Sequence, residues 1–527
     1  MDWKEKYFVV KRLRNSGTDD KRPELSDNTD IRTALESDFG RVVFSPACRR
    51  LHDKTQVFPL TTNDNIHSRL THSLEVMNIG LSFSIDLSDK KEKFLDVTGL
   101  SAIDVLRDVS AILKTACLVH DIGNPPFGHF GEVVIQNYFK SLFEEIKSKE
   151  SVVQKGIKNT EYISKKDKKE YLNEGRRLRR IDNQRKKFQI DQLNRFLKDE
   201  SWKCDYKEFD GNAEGFRIIT KLQNAGDLYG LNLTYGTLAA TIKYPNIGKS
   251  KRDSKIGNHK HGILFTERKE LDLIAKACHL HKGGEYYRDP LVFLMEAADS
   301  ICYLIMDIDD AITRKWVSFD DVFKLVENSE EKAKKRIIDV FERVRVGNDS
   351  PRKRWMSLRT AMIGYLMEVA IKNFLENLHL IENGDFDEEL IEHNNPFAKD
   401  LQIFSSQYIL SQRDINKLET TGKSVISGLL DEYINLLFHP NKGFRDRAKS
   451  LLSKSILFTV IDEHIHDFPN EYKEKYGDKE VDKVFDEFDL CDLTVEERFR
   501  IIRDFIAGMT DKFALNHFQE LSGQRLS

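Results

Sequence analysis

Residues 118–132 read LVHDIGNPPFGHFGE, and this segment is the most informative part of the sequence about the fold. The apolar residues before it recur at intervals of three and four, which predicts a helix that begins near Ser101. The helix must end at the Gly123–Pro126 turn, because two consecutive prolines cannot continue it. We therefore expect His120 and Asp121 at the end of a buried helix, at the mouth of a helical bundle.

The dipeptide His-Asp occurs three times, so by itself it is weak evidence of a site. The other two copies, His52-Asp53 and His466-Asp467, stand among polar residues, and we expect both on the surface. After His120-Asp121, by contrast, a stiff turn returns His129 and Glu132 to the same place. An adjacent imidazole and carboxylate can bind metal ions jointly, and such mixed ligands suit Mn, Fe, Co or Mg better than a closed zinc site.

Two further polar residues interrupt helices that are otherwise apolar. Asp299 lies in a helix predicted over about 289–313, which is apolar on several faces and is expected to be buried. His72 lies in a helix predicted over 68–87. For either residue alone, a hydrogen-bonded core position is the better explanation, but together with His120-Asp121 they favour a metal centre. The apolar positions that predict the 68–87 helix are Leu70, Leu74, Met77, Leu81 and Ile85.

Composition excludes several classes of protein. The chain has 527 residues with a net charge of −3, so no global charge imbalance indicates nucleic acid or membrane. Its 28 Gly and 11 Pro are too few for a collagen-like or linker-rich chain, and its 40% hydrophobic residues exclude wholesale disorder. The six scattered cysteines, the short apolar patch near the N-terminus and the absence of an apolar run of ~18 residues predict a cytoplasmic protein without membrane contact.

Two other sequence features are weak evidence of nucleotide or nucleic-acid binding. The tripeptide Gly-Lys-Ser begins at Gly248 and at Gly422, but a phosphate-binding loop needs a glycine five positions earlier, where Lys243 and Lys417 stand. Residues 155–187 carry 13 Lys and Arg against 5 Asp and Glu. Such a run is more often a solvated insertion than a polyanion contact, and it lacks interleaved aromatic residues for stacking bases.

The order His72, His120-Asp121, Asp299 resembles the H…HD…D signature of the HD phosphohydrolase superfamily, an all-α fold. The surrounding segments resemble more specifically the dGTP triphosphohydrolase family, in that family's order, from about residue 36 to 311. They are ESDFGR at 36–41, RRL at 49–51, TQVFPL at 55–60, RLTHS at 69–73, residues 120–132, FDGNA at 209–213, KYP at 243–245 and LMEAAD at 294–299.

This resemblance implies hydrolysis of a deoxynucleoside triphosphate, with dGTP the expected substrate, to deoxynucleoside and inorganic triphosphate. Water activated by a divalent metal ion (Mn, Mg, Fe or Co) would attack the α-phosphorus. The leaving 5′-oxygen needs a proton, and His129 is the expected donor because imidazole titrates near neutral pH. Glu132 would orient His129 and hold it protonated. The metal ligands would be His72, His120, Asp121 and Asp299.

The expected substrate contacts follow from spacing and from the resemblance. Arg69 lies one helical turn before His72 and can present its guanidinium to the phosphates. Tyr303 and Asp307 follow Asp299 by four and eight residues on one helix face, and the resemblance places them at the sugar, where Tyr303 would exclude a ribo 2′-hydroxyl. The resemblance also implies a homo-oligomer, as a hexamer, and an effect of single-stranded DNA. The other substrate residues it implies are Gln56, Asn124, Lys243, Tyr244 and Lys260.

Two alternatives stay open at this stage. The metal site alone does not distinguish a dNTP hydrolase from an alarmone or cyclic-nucleotide hydrolase. The sequence motifs at 56–59 and 124–127 favour a dNTP hydrolase. The chain could also be a nucleic-acid-binding protein that uses residues 155–187. We expect an all-α fold with one small strand pair near 235–265. Its parts would be an N-terminal extension 1–40, a core in two parts 41–140 and 206–320, a basic insertion 141–205 and a helical region 321–527.

Overall fold

The computed structural model describes residues 3–15, 32–56, 60, 66–158, 200–223, 229–248, 250, 255–329, 333, 335–339, 350–439, 441–477 and 479–524. Within these ranges the regular structure is helical apart from one short strand pair, so the all-α prediction is confirmed. None of the helices described combines the length and apolar character that crossing a bilayer requires.

The first half of the chain carries the helices that surround the His-Asp turn. They are α1 (Trp3–Tyr7), α2 (Ala34–Val43), α3 (Pro46–Arg50), α4 (Arg69–Ser88), α5 (Asp96–Thr98), α6 (Ala102–Asp104), α7 (Ser110–Val119), α8 (Gly128–Lys158), α9 (Glu200–Lys207), α10 (Gly211–Arg217), α11 (Tyr235–Thr241) and α12 (Arg268–Ala277). Single turns of π- or 3₁₀-helix connect several of them, at Leu13–Asn15, Leu51–Asp53, Lys91–Leu95, Val105–Val109, Ile218–Leu222, Ile256–Asn258 and Phe265–Glu267.

The second half begins with the longest buried helix and continues with a helical C-terminal region. The helices are α13 (Pro290–Thr313), α14 (Phe319–Glu327), α15 (Pro351–Glu376), α16 (Leu378–Glu382), α17 (Pro396–Ser405), α18 (Arg413–Leu437), α19 (Lys442–Leu451), α20 (Lys454–Asp467), α21 (Pro469–Tyr476), α22 (Val481–Val484), α23 (Val495–Ala507) and α24 (Asp511–Leu521), with a π-helical turn at Ser406–Leu410.

Three helices, α4, α7 and α13, pack against one another and form the centre of the first apolar core. Helix α4 begins one residue after the predicted start because Ser68 caps it: the Ser68 hydroxyl accepts the N–H of Thr71, and the Thr71 hydroxyl accepts the N–H of Ser68. Asp289 caps α13 by a single bond, accepting the N–H of Leu291 at 2.8 Å. Almost every residue of α13 is buried, as predicted.

The turn after α7 depends on a close approach between two backbone segments. The helix ends before Gly123, as the two prolines predict. A Cβ atom at Gly123 would lie 2.0 Å from the backbone nitrogen of Gly215 in α10, so only glycine allows this contact. The approach brings α10, and the residues that precede it, beside the His120-Asp121 pair.

A second apolar core joins the C-terminal region to α8 and α9. Helix α18 packs on α8, α23 and α24. Phe127, at the start of α8, has its side chain in this core, where a Cβ atom at Gly422 of α18 would lie 2.8 Å from its ring. The C-terminal helices therefore support the turn between the His-Asp pair and His129 from behind.

The strand pair lies at His281–Lys282 and Glu285–Tyr286, so the expectation that it falls within 235–265 is wrong. The described part of that segment contains α11 and 3₁₀ turns instead. The hairpin forms where two consecutive glycines, Gly283 and Gly284, adopt positive φ angles of 62° and 88°. A two-residue hairpin turn of the favoured twist requires positive φ at both central positions, which glycine adopts without steric cost.

Candidate active site

His72, His120 and Asp299 converge where α4, α7 and α13 meet. His72 lies in the first turn of α4, His120 follows the last residue of α7, and Asp299 lies midway along α13. The Nε2 atoms of the two histidines stand 3.2 and 3.4 Å from Asp299 Oδ1. One ligand atom from each residue lies within 4.8 Å of the others, a spacing that could hold a metal ion.

The hydrogen bonding of His120 supports a cation at this point. Its Nδ1 lies 2.7 Å from the carbonyl oxygen of Cys117, and because a carbonyl only accepts, Nδ1 carries the proton. Nε2 is buried and has no hydrogen-bond partner among the described residues, yet it faces the Asp299 carboxylate. A buried imidazole nitrogen and a carboxylate that face each other this closely fit a shared divalent cation, and the Nδ1 bond is the support that ligating histidines usually have.

Asp121 lies beside this trio but is held by other partners. Its Oδ2 is 3.6 Å from His120 Nε2 and forms an ion pair with Arg69, while its Oδ1 accepts the amide N–H of Asn124 at 2.6 Å. Burial opposes ionisation, but the nearby Arg69 and His120 hold the pKa of Asp121 well below its usual range. The fourth predicted ligand therefore stands ionised at the edge of the three-ligand cluster.

His129 and Glu132 form a pair at the start of α8. The imidazole Nδ1 of His129 lies 3.1 Å from Glu132 Oε2, and the other carboxylate oxygen of Glu132 accepts the N–H of Gly211 at 2.8 Å. The negative charge and the hydrogen bond of Glu132 raise the pKa of His129 above its usual value. The ring of His129 is 73% exposed while Glu132 is buried, so a fixed carboxylate orients an accessible imidazole.

Three cations surround the space in front of these groups. Arg69 reaches Asp121, Lys243 Nζ lies 3.6 Å from Asp299 Oδ2, and Lys260 Nζ pairs with Asp210 at 3.1 Å. The ring of Tyr244 stands 5.8 Å from both lysine ammonium groups. This arrangement places positive charge on several sides of one cavity, as binding of a polyphosphate requires.

The cavity has a volume of about 510 Å³, within the range of small-molecule sites. All but two of the predicted site residues line it, and the two others, His72 and Glu132, lie buried directly behind it. The lining residues from the prediction are Gln56, Arg69, His120, Asp121, Asn124, His129, Lys243, Tyr244, Lys260, Asp299, Tyr303 and Asp307.

Tyr303 and Asp307 line the cavity further along α13, one and two turns beyond Asp299. The amide of Gln402 donates to the Tyr303 hydroxyl at 3.5 Å, and also to Glu392. Burial and the charge of Asp310 raise the pKa of Asp307 to about 8. Gln56 Oε1 is buried with no hydrogen-bond partner among the described residues, so this wall offers an acceptor to a ligand.

The C-terminal region supplies a part of the cavity that no motif in the sequence predicts. No local pattern distinguishes these residues, because helical periodicity predicts an amphipathic segment without showing what its faces contact. Glu296, by contrast, carried the same signal as Asp299, a carboxylate in an apolar helix, and it lies 3.6 Å from Lys243. The C-terminal lining residues are Glu389, Gln402, Ser405, Leu410, Ile415 and Glu419.

Comparison with known proteins identifies the family of the chain. The model of the HD domain matches residues 69–187. A deoxyguanosinetriphosphate triphosphohydrolase-like protein of Listeria monocytogenes is 30% identical over 99% of this chain and 100% of its own length. The chain belongs to the deoxyguanosinetriphosphate triphosphohydrolase family. Deoxyguanosinetriphosphate triphosphohydrolases of Yersinia enterocolitica and an Enterobacter species are 29% and 28% identical, over 99% and 93% of the chain and 99% and 94% of their own lengths.

This membership confirms the family resemblance and the prediction of a hydrolase. The other two His-Asp dipeptides lie outside the site, as predicted: the side chains of His52 and His466 are 74% and 66% exposed.

Proposed function

We propose that this chain hydrolyses deoxynucleoside triphosphates, dGTP above all, to deoxynucleoside and inorganic triphosphate. The observation that carries the proposal is that one cavity brings three kinds of group together. His120 Nε2, which has no hydrogen-bond partner among the described residues, faces Asp299. Cationic side chains are available for phosphates, and Tyr303 and Asp307 line the same cavity. The relatives in Yersinia and Enterobacter bear names that specify dGTP as their substrate.

His72, His120 and Asp299, with Asp121 adjacent, would hold one or more divalent cations. Such an ion would lower the pKa of a bound water and neutralise charge on the phosphoryl oxygens. The chain's own contribution here is orientation. The Cys117 carbonyl directs His120 Nε2 into the site, and Arg69 and Asn124 fix the Asp121 carboxylate.

His129 would donate the proton that the leaving group needs. As the bond between the α-phosphorus and the 5′-oxygen breaks, that oxygen gains negative charge, which a proton from the imidazolium neutralises. Glu132 stabilises the imidazolium and points the ring into the cavity. The triphosphate that departs would remain paired with Arg69, Lys243 and Lys260 until it is released.

The sugar and base would occupy the part of the cavity beyond Asp299. Gln56 Oε1 and Asp307 offer acceptors to the 3′-hydroxyl, and the ring of Tyr303 would stand against the 2′ carbon. Leu410, Ile415 and Glu419 line the same cavity. Two apolar side chains can cover a base, and a carboxylate can accept hydrogen bonds from N1–H and the 2-amino group of guanine, a pair of donors that adenine lacks.

A product analysis tests this proposal. The metal-stripped protein is incubated with each dNTP and with GTP, with and without Mn²⁺ or Mg²⁺, and the products are separated. Metal-dependent release of deoxyguanosine and intact triphosphate is the expected result. A nucleoside monophosphate would show cleavage at another bond, and absence of turnover with every dNTP would overturn the proposal. In the same assay, Glu419→Gln should reduce the preference for dGTP over dATP.

Three further predictions remain with this proposal: a homo-oligomer, contact with single-stranded DNA, and a cytoplasmic location. Most of the basic segment 155–187 lies outside the described residues, which end there at Lys158. Light scattering on the purified protein would give the oligomer mass and test for the hexamer. An oligonucleotide mobility shift that weakens with salt would support DNA contact.

A further inference from the structure

The segment Lys54-Thr55 connects the catalytic residues to the end of the chain. Its backbone pairs with the start of α4, where the Lys54 carbonyl accepts the N–H of Arg69 at 2.9 Å. Its side chains point the other way, toward the C-terminal helices and the turn at 124–127. Lys54 does not line the cavity, so contact with a ligand there does not explain why it is buried.

Lys54 bridges two backbone carbonyls from distant parts of the chain. Its side chain is almost fully buried, and Nζ donates to the carbonyl of Asn124 and, at 2.9 Å, to that of Ala507, the last residue of α23. Burial and the cations Arg50 and Arg69 lower the pKa of Lys54 to about 7. Burying this side chain costs free energy, and the structure recovers it by joining the end of α23 to the turn after the His-Asp pair.

Asp511, the first residue of α24, makes the second connection. Its Oδ2 accepts the backbone N–H of Thr55 at 3.1 Å and the Thr55 hydroxyl, and its Oδ1 accepts the N–H of Phe127 at 2.8 Å. Phe127 has a φ of 64°, and Gly128 follows with a φ of 59°. A bulky residue rarely adopts positive φ, so the surrounding contacts must hold it there. His129 is the next residue.

We propose that Lys54 and Asp511 are positioning residues through which α23 and α24 set the geometry of the catalytic turn, residues 124–127, which lies between Asp121 and His129. This inference rests on the proposed function, because it assigns the turn a catalytic task. Asp511 holds the left-handed Phe127-Gly128 step that directs His129 toward the cavity. Lys54 holds the carbonyl of Asn124, whose side chain orients Asp121. The active site is therefore incomplete without the last two helices of the chain, although neither supplies a residue to the cavity.

Asp511→Asn tests the proposal. The variant keeps the side-chain volume but replaces one carboxylate oxygen by an amide nitrogen, which cannot accept a hydrogen bond. Asp489→Asn is the matched control: Asp489 is a buried C-terminal carboxylate that pairs with Arg445 at 2.7 Å and touches no site residue. We expect kcat of Asp511→Asn to fall by about 10²-fold with KM within about threefold, as a misplaced catalytic group predicts. The control should lose thermal stability but keep its kcat.

A second readout does not depend on turnover. With histidine labelled at ¹³Cε1 and the His129 signal assigned from His129→Gln, the titration of His129 reports its distance from Glu132. The charged groups that face it are Glu132, Arg69 and Lys260. In Asp511→Asn the titration midpoint of His129 should fall toward the ordinary histidine pKa. In Asp489→Asn the midpoint should stay unchanged.

The outcomes separate this inference from the proposed function. If wild-type protein hydrolyses no dNTP, the function fails, while the His129 titration still tests the positioning. If kcat and the titration of Asp511→Asn both match those of the control, the positioning role is wrong. Thr55→Val removes only the hydroxyl contact to Asp511, so it supplies a milder variant, with an expected drop in kcat of a few fold, should Asp511→Asn not fold. Lys54→Met should repeat the loss of kcat.

Discussion

Glu132 is buried and holds the exposed His129 ring by a 3.1 Å contact between its carboxylate and the imidazole Nδ1. Because Glu132 raises the pKa of His129, the imidazolium persists to higher pH than in an isolated histidine. A reaction that needs the imidazolium keeps its rate below that raised pKa and loses rate as pH rises through it. In Glu132→Gln the pKa falls, so the alkaline limb of the kcat profile should move to lower pH.

The control for this profile is Glu75→Gln, since Glu75 also pairs with a histidine, His67, outside the cavity lining. Its alkaline limb should coincide with that of the wild type. Identical limbs in Glu132→Gln and wild type would show that the group that titrates is not His129.

Replacing His129 by Ala should lower kcat by about 10²–10⁴-fold, the usual contribution of a general acid. Nucleotide affinity should change little, because the phosphate-facing cations Arg69, Lys243 and Lys260 stay in place. Calorimetry with a non-hydrolysable dGTP analogue measures that affinity. His52→Ala, at an exposed histidine outside the cavity, should retain full activity. A His129→Ala variant with near wild-type kcat would show that His129 is not the proton donor.

Removal of metal should be visible in stability as well as in activity. A cation that binds the folded state stabilises it by about 2.7 kcal/mol at 100 times its Kd. Adding Mn²⁺ to chelator-treated protein should therefore raise the melting temperature. His120→Ala deletes the unpartnered Nε2 and should abolish the rise, whereas Asp53→Asn, at an exposed carboxylate, should leave it intact. An equal rise in His120→Ala would place the cation elsewhere.

Tyr303 is expected to set the preference for deoxyribose. Replacing it by Ala removes the ring that would stand against the 2′ carbon, so kcat/KM for GTP should rise relative to dGTP by about tenfold. Tyr303→Phe keeps the ring and loses only the weak 3.5 Å contact with Gln402, so its selectivity should stay near that of the wild type. Equal selectivity in both variants and wild type would exclude the ring as the determinant.

Stability should depend strongly on one buried arginine. The guanidinium of Arg217 is fully buried and pairs with Glu267, Glu463 and Asp504 at 2.6, 3.2 and 2.8 Å. Removing it leaves the buried Glu267 without its counter-charge, which costs about 3–5 kcal/mol. Arg500 still pairs with Glu463, and Arg503 still pairs with Asp504. Arg217→Ala should therefore unfold at much lower urea concentration. Arg336→Ala breaks only an exposed pair with Glu368, and its loss should be about 1 kcal/mol or less.

Local sequence predicted the site-bearing helices well, because their signals act over a few residues. Helix α4 was expected over 68–87 and spans Arg69–Ser88, since Ser68 is its capping residue. The same periodicity did not show which face is buried. Of the apolar positions that predicted the helix, Leu74 and Ile85 are 44% and 53% exposed, while His72 is buried. The helix turns its polar site residue inward because α7 and α13 supply partners there.

Contacts between segments that are distant in the sequence could not be predicted from local patterns. Whether Glu389, Gln402 or Glu419 faces the cavity depends on how α15 to α17 pack around α13 and how α18 packs on α8. No spacing within those segments encodes that packing. The bonds of Lys54 to Asn124 and Ala507 join residues separated by 70 and 453 positions. Nothing in the residues around Lys54 in the sequence predicts that its side chain makes these contacts.

The amino-acid sequence alone was enough to predict the family, the all-α class, and a candidate metal set of His72, His120, Asp121 and Asp299. The family followed from the resemblance of its motifs. The helices followed from capping, proline positions and helical periodicity, which act locally, and the candidate ligands followed because a polar residue in an apolar helix needs a partner. The tertiary structure was needed to show that Asp121 stands beside a three-ligand cluster, that the N–H of Gly211 anchors Glu132, and that the C-terminal helices contact the turn before His129. Those relationships are contacts between distant segments, and packing of the whole chain creates them.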